Sequence, residues 1–122
     1  MLTLLVGIAG SVGAVSRVLV DGELKRRLHP VLPWQTMVIN IVGSFIVGFL
    51  AGLVTAGAAD RDWQTVLATG FCGGFTTFST ASVETLTLLR SGRGRAALGY
   101  AACSLVLALA ACAAGLGVAR LF

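Results

Sequence analysis

Four stretches of the sequence, residues 1–16, 28–59, 63–83 and 96–119, contain no Asp, Glu, Lys or Arg. A hydrocarbon core about 30 Å thick takes roughly 20 apolar residues to cross as a helix. Inside it every backbone polar group must be paired within the protein, which leaves helices or closed barrels. Trimmed at prolines and loop residues, and extended past Arg17 and Glu84, the four stretches predict transmembrane helices over about 2–20, 35–58, 63–89 and 96–119. The expected fold is an all-α membrane protein, with residues 1–122 forming one transmembrane domain. The 122 residues are 57% hydrophobic and 11% charged. Soluble domains carry about 25% charge, and a soluble fold this small exposes more surface than such a composition can solvate.

The connections are short. The first, residues 21–34, holds Lys25, Arg26, Arg27 and both prolines, with room for a short interfacial helix before Pro30. The N-terminus, Met1 to Leu5, has no basic region of the kind that opens a cleaved leader, so the first segment is expected to be a retained helix. The 9 basic residues outnumber the 5 acidic ones. They sit in loops between apolar runs, where membrane topology expects them, which excludes a nucleic-acid surface. With four spans, Lys25, Arg26, Arg27, Arg90, Arg93 and Arg95 fall on one side, and Arg61 and Arg120 on the other. Six against two predicts the first side to be cytoplasmic and both termini to be outside. Arg17, late in the first helix, is expected to reach toward the cytoplasmic side.

Close helix packing is expected from the 16 glycines. Ser44, Gly48 and Gly52 recur every fourth residue, as do Ala111, Gly115 and Ala119. Such stripes let another backbone approach, either within one subunit or across a subunit interface. Cys72, Cys103 and Cys112 lie inside apolar runs without a CxxC partner and read as small buried apolar residues.

The run Gly70-Phe71-Cys72-Gly73-Gly74-Phe75-Thr76-Thr77-Phe78-Ser79-Thr80 sits in the middle of the third span. Paired glycines and β-branched threonines are poor helix formers, by several tenths to about 1 kcal/mol each relative to alanine. A break there releases backbone carbonyls of the kind that hold cations in broken membrane helices. The competing reading is a continuous helix with glycine contacts. Asn40, an amide inside the second span, marks either an anion donor or a bond between helices. Ser79 and Thr80 offer hydroxyls in the same way.

These residues resemble the Fluc (CrcB-like) family of small fluoride channels. Gly10-Ser11-Val12-Gly13-Ala14-Val15-Ser16-Arg17 is similar to its first glycine-rich motif, ending in Gly-Ala-x-x-Arg. Val38-Ile39-Asn40-Ile41-Val42-Gly43-Ser44-Phe45 is similar to its Val-Asn-x-x-Gly-Ser-Phe motif, with Ile39 in place of the valine. The run from Gly70 to Thr80 matches its third. Length, helix count and motif order agree over the whole chain.

The resemblance implies a fluoride-specific channel subunit in the bacterial plasma membrane, exporting fluoride from the cytoplasm to relieve its toxicity. It implies dimers of oppositely oriented subunits with two pores. It also implies a structural sodium ion on the dimer axis, held by the carbonyls of Gly73 and Thr76. Phe78 falls on the first of two pore phenylalanines, Asn40 on the pore asparagine and Arg17 on the arginine near the inner mouth. Ser79 and Thr80 fall on the polar track of the pore. Such chemistry suits a small hydrated anion, since amides and hydroxyls replace water and a phenylalanine edge is electropositive. The basic loops and Arg17 would concentrate anions at one mouth.

Two features depart from the family. The third motif usually continues to a second phenylalanine, and here that position is Ala81. A subunit inserting in both orientations should also lack the six-to-two charge bias. Both fit half of a heterodimer better than a homodimer that tolerates alanine. Glu84, the only acid within a span, lies six residues after Phe78, about 9 Å along a helix toward the basic side. It reads as a carboxylate of the inner vestibule or paired with an arginine, or as a pore-mouth group. The main rival is a small multidrug-resistance-like, proton-coupled transporter of four helices. That family relies on a glutamate in the first helix, where this chain has no acid. An assembly factor without transport is a further reading. An enzyme is not expected: His29 is the only histidine and stands in a loop beside Pro30, and no nucleophile has a base at usable spacing.

Overall fold

The computed structural model describes residues 1–28 and 32–122. Helices α1 (Leu2–Leu28), α2 (Trp34–Thr55) and α6 (Gly94–Ala119) are each long and apolar enough to cross a membrane. The third crossing in chain order is assembled from pieces. It starts at α3 (Arg61–Gln64), widens into π-helical winding over Thr65–Cys72 and closes with α4 (Gly73–Phe75). After two extended residues it resumes as α5 (Phe78–Arg90). The chain is therefore all-α, with four crossings and a break in the third.

Helix α1 continues to Leu28, past the end expected near residue 20. Its 27 residues span about 40 Å, so the last turns outrun a 30 Å core. Ion pairs at helical spacing hold them: Lys25 with Asp21 at 3.0 Å, Arg26 with Glu23 at 2.8 Å, and Arg27 with the same Glu23 at 2.5 Å. Three basic residues in the final turn also suit the negative end of the helix dipole. Residues 21–28 of the expected interfacial helix are thus the end of α1, while His29 and Pro30 lie outside the described residues. Helix α2 stops at Thr55, short of residue 58, because Gly57 turns left-handed at φ 74° and the Ala58 amide donates back to the Leu53 carbonyl.

The packing settles what the small-residue stripes face. Helices α2 and α6 form the most extensive pair. A Cβ on Gly48 would overlap the Cys112 carbonyl, and one on Gly115 would overlap the Phe45 carbonyl. The two stripes meet each other within one subunit. Helix α1 packs instead against the π-helical segment and α4. A Cβ on Gly13 would overlap the Phe71 carbonyl, and one on Gly74 the Gly10 carbonyl. The first and third glycine-rich motifs are therefore the two sides of one close contact. At the basic end, Met37, Leu88, Ala97 and Tyr100 form a small buried cluster. Large apolar side chains cover much of the outside, as lipid requires.

Candidate functional site

The break lies at Thr76 and Thr77, where the chain runs extended (φ −78°, ψ 160° and φ −149°, ψ 116°). The Thr76 amide and hydroxyl both donate to the Cys72 carbonyl, at 2.9 and 2.8 Å, which ends the first half-helix. Thr77 then caps the second. Its Oγ1 accepts the Thr80 amide at 3.2 Å and lies within 3.1 Å of Thr80 Oγ1 and 3.3 Å of Ser79 Oγ.

Asn40, from α2, reaches the same point. Its Oδ1 accepts the Thr77 amide at 2.8 Å and its Nδ2 donates to the Thr77 carbonyl at 3.0 Å. Of the two readings of Asn40, the bond between helices is realised. One Nδ2 hydrogen is not used by that pair.

Two carbonyls lose their helical donors as a result. In an uninterrupted helix the Thr77 amide bonds the Gly73 carbonyl and the Thr80 amide bonds that of Thr76. The first donor is taken by Asn40 and the second by Thr77 Oγ1. The paired glycines differ in their surroundings. Gly74 is pressed on Gly10, whereas Gly73 is exposed and has nothing within 4 Å where a side chain would stand.

Beside the break an open groove of about 750 Å³ runs between α2, α5 and α6. Asn40 and Ser44 line it from α2, Phe78 and Thr85 from α5, and Tyr100 and Ser104 from α6. Ala81, one turn after Phe78, also faces it. Phe78 is 88% exposed. The Ser104 hydroxyl is buried and has no partner among the described residues.

The structure brings Asn40 and Phe78 together in this groove but not Ser79, Thr80 or Arg17. Ser79 and Thr80 are exposed residues of the cap. Arg17 is half-buried on α1, one turn past Gly13, with no ion pair to a described acid. It is not among the residues lining the groove because α1 packs on the first half of the broken span. Glu84 lies toward the basic end and pairs with no described arginine. Thr36 Oγ1 donates to its Oε1 at 2.9 Å and the Tyr100 hydroxyl to its Oε2 at 3.0 Å, so one carboxyl group ties α2, α5 and α6. Thr36, Tyr100, Ser104, Ser82 and Thr85 escaped the sequence reading. Spacing offered a signal, since Thr36, Asn40 and Ser44 recur every fourth residue and so do Tyr100 and Ser104.

A helical protein that crosses the membrane four times, with one span interrupted at mid-length beside a mainly apolar groove that carries a few polar side chains, is built as a multi-pass membrane protein of the channel or transporter class. Residues 4–116 match the family described as CrcB-like protein, Camphor Resistance (CrcB), and the chain belongs to that family. Named relatives cover nearly all of it. A fluoride-specific ion channel FluC 1 of Leifsonia xyli subsp. xyli is 42% identical over 97% of this chain and 85% of its own length. A fluoride-specific ion channel FluC 3 of Bifidobacterium longum is 42% identical over 93% of this chain and 94% of its own. A fluoride-specific ion channel FluC of Rhizobium etli is 41% identical over 96% and 94% respectively. The chain is thus placed apart from the multidrug-resistance-like transporters that the helix count alone allowed.

Proposed function

We propose that this chain is a subunit of a fluoride-specific channel that exports fluoride from the cytoplasm across the bacterial plasma membrane, relieving fluoride toxicity. The likeness to fluoride-specific channels over almost the whole chain carries the reading, and the groove supports it chemically. The amino end of α5 opens at the break, where its dipole favours negative charge. The spare Asn40 hydrogen and the hydroxyls of Ser44 and Ser104 are donors along one path. Phe78 can turn an electropositive ring edge to an anion without a fixed charge that would trap it. Arg17 and the basic loops raise anion concentration at the inner mouth. Ser79 and Thr80 line the route once a second subunit covers their exposed hydroxyls.

One subunit is not a pore. Phe78, Ser79, Thr80 and Gly73 are all exposed around the middle of a span, where polar groups facing lipid are costly. An inverted second subunit covering that face turns an open groove into an enclosed path. Ala81, in place of a second ring, and the six-to-two charge bias favour a related subunit of opposite orientation, hence a heterodimer. A sodium ion at the junction fits the Gly73 and Thr76 carbonyls, which are hard oxygen donors without their helical partners. When bound, such an ion supplies positive charge that holds the broken ends of the subunits together.

Fluoride efflux from liposomes tests this. The chain with a complementary subunit is expected to release fluoride rapidly and chloride not at all. Rapid efflux from the chain alone would remove the heterodimer. No fluoride movement in either preparation would remove the channel.

A further inference from the structure

We infer that Asn40 is a positioning residue for a cation, holding the third span open by capturing the amide hydrogen that would otherwise close on the Gly73 carbonyl. The cation itself rests on the channel reading above; the role of Asn40 comes from the geometry of the break.

Nothing covalent forces the interruption. Residues 70–80 contain no proline, and Gly and Thr weaken a helix without forbidding it. The Thr77 amide is inside a buried residue, 7% exposed, so it must find an acceptor in the protein. Two acceptors compete: the Gly73 carbonyl four residues back, which continues the helix, and Asn40 Oδ1, which breaks it. Asn40 offers more than an acceptor. Its Nδ2 simultaneously donates to the Thr77 carbonyl, so the side-chain amide pairs with both polar groups of one residue, as a neighbouring strand would. The amide has only one orientation that satisfies both partners. Asn40 therefore satisfies both polar groups of Thr77 outside the helix, and the Gly73 carbonyl is left without its helical donor on an exposed residue. The same side chain meets the anion groove with its remaining hydrogen. One residue thus sets a carbonyl for the cation and a donor for the anion.

The variants separate these roles. Asn40→Ala removes acceptor and donor, so the Thr77 amide returns to Gly73. Asn40→Asp keeps the acceptor that diverts the Thr77 amide from Gly73, loses the donor to the Thr77 carbonyl and adds negative charge to the groove. The purified assembly is heated in detergent in sodium chloride and in N-methylglucamine chloride, and fluoride efflux from liposomes is followed in parallel. The unsubstituted protein is expected to gain stability from sodium. Asn40→Ala should lose that gain entirely, and Asn40→Asp should keep it while fluoride efflux slows. If Asn40→Ala does not assemble, Asn40→Asp alone decides, because losing the sodium response there contradicts the acceptor role. An Asn40→Ala assembly with the full sodium gain overturns the inference, as does an unsubstituted protein indifferent to sodium. Absent fluoride efflux with an intact sodium pattern would sink the channel reading alone.

Discussion

Replacing Tyr100 with phenylalanine isolates the tie made by Glu84. The ring stays in the cluster with Met37, Leu88 and Ala97, so packing is conserved and only the hydroxyl goes. That hydroxyl donates to Glu84 Oε2 at 3.0 Å, while Thr36 holds Oε1 at 2.9 Å. Bonds between membrane helices are worth about 0.6 to 2 kcal/mol, and leaving one oxygen of a partly buried carboxyl unpaired adds to the loss. A destabilisation of about 2 kcal/mol is expected, falling on the contact of α5 with α6. Thr36→Val should cost a similar amount at the contact of α5 with α2. Because the two bonds share one carboxyl group, the double variant should depart from additivity by about 0.5 kcal/mol or more. Reversible unfolding in mixed micelles measures all four corners of that cycle. A Tyr100→Phe effect below about 0.5 kcal/mol, or strict additivity with Thr36→Val, would refute the idea that Glu84 joins three helices.

Gly115→Ala should destabilise the fold by about 1–3 kcal/mol, since its Cβ meets the Phe45 carbonyl, whereas Gly99→Ala, with nothing within 4 Å, should be neutral or stabilising in the same unfolding assay. Ala81→Phe places a second ring one turn from Phe78 in the groove; in liposomes holding this chain with a complementary subunit it should raise fluoride efflux by about twofold, as the second pore regains its ring. At the end of α1, Arg27 and then Arg26 hold the Glu23 carboxyl below its ordinary value of 4.5. A lowered folded value means the carboxylate supports the last turns above the ordinary value and the support is lost as pH falls through the lowered one. Amide exchange at residues 24–28 should therefore quicken below about pH 4.5, and in a Glu23→Gln variant it should be fast throughout.

The spans and the position of the break were legible because both are written in neighbouring residues. Charge-free runs mark what a bilayer accepts, and Gly73-Gly74 followed by Thr76-Thr77 marks where helix is weakest. The facing of residues was not legible. Asn40 could be read as an anion donor or as a bond between helices, and only the position of Thr77 against α2 shows that two of its polar contacts are spent on the break. Ser79 and Thr80 form the cap of α5 with Thr77, while Thr85 and Ser104 line the groove of the single subunit. Helix α1 outran its expected end because its ion pairs stabilise turns that hydropathy alone leaves out.

By itself the sequence determined that this chain crosses a membrane four times, that its third crossing is weak in the middle, and which polar side chains lie at that depth. Those are consequences of a solvent that tolerates no unpaired backbone and of propensities set within a few residues. Only the tertiary structure decided that the two small-residue stripes face each other, that Glu84 joins three helices, and that Asn40 and Thr77 divert the amides that would have closed the helix. Helical periodicity says which residues share a face; which face meets which is set by the packing of distant segments, and the fate of each hydrogen bond follows from that packing.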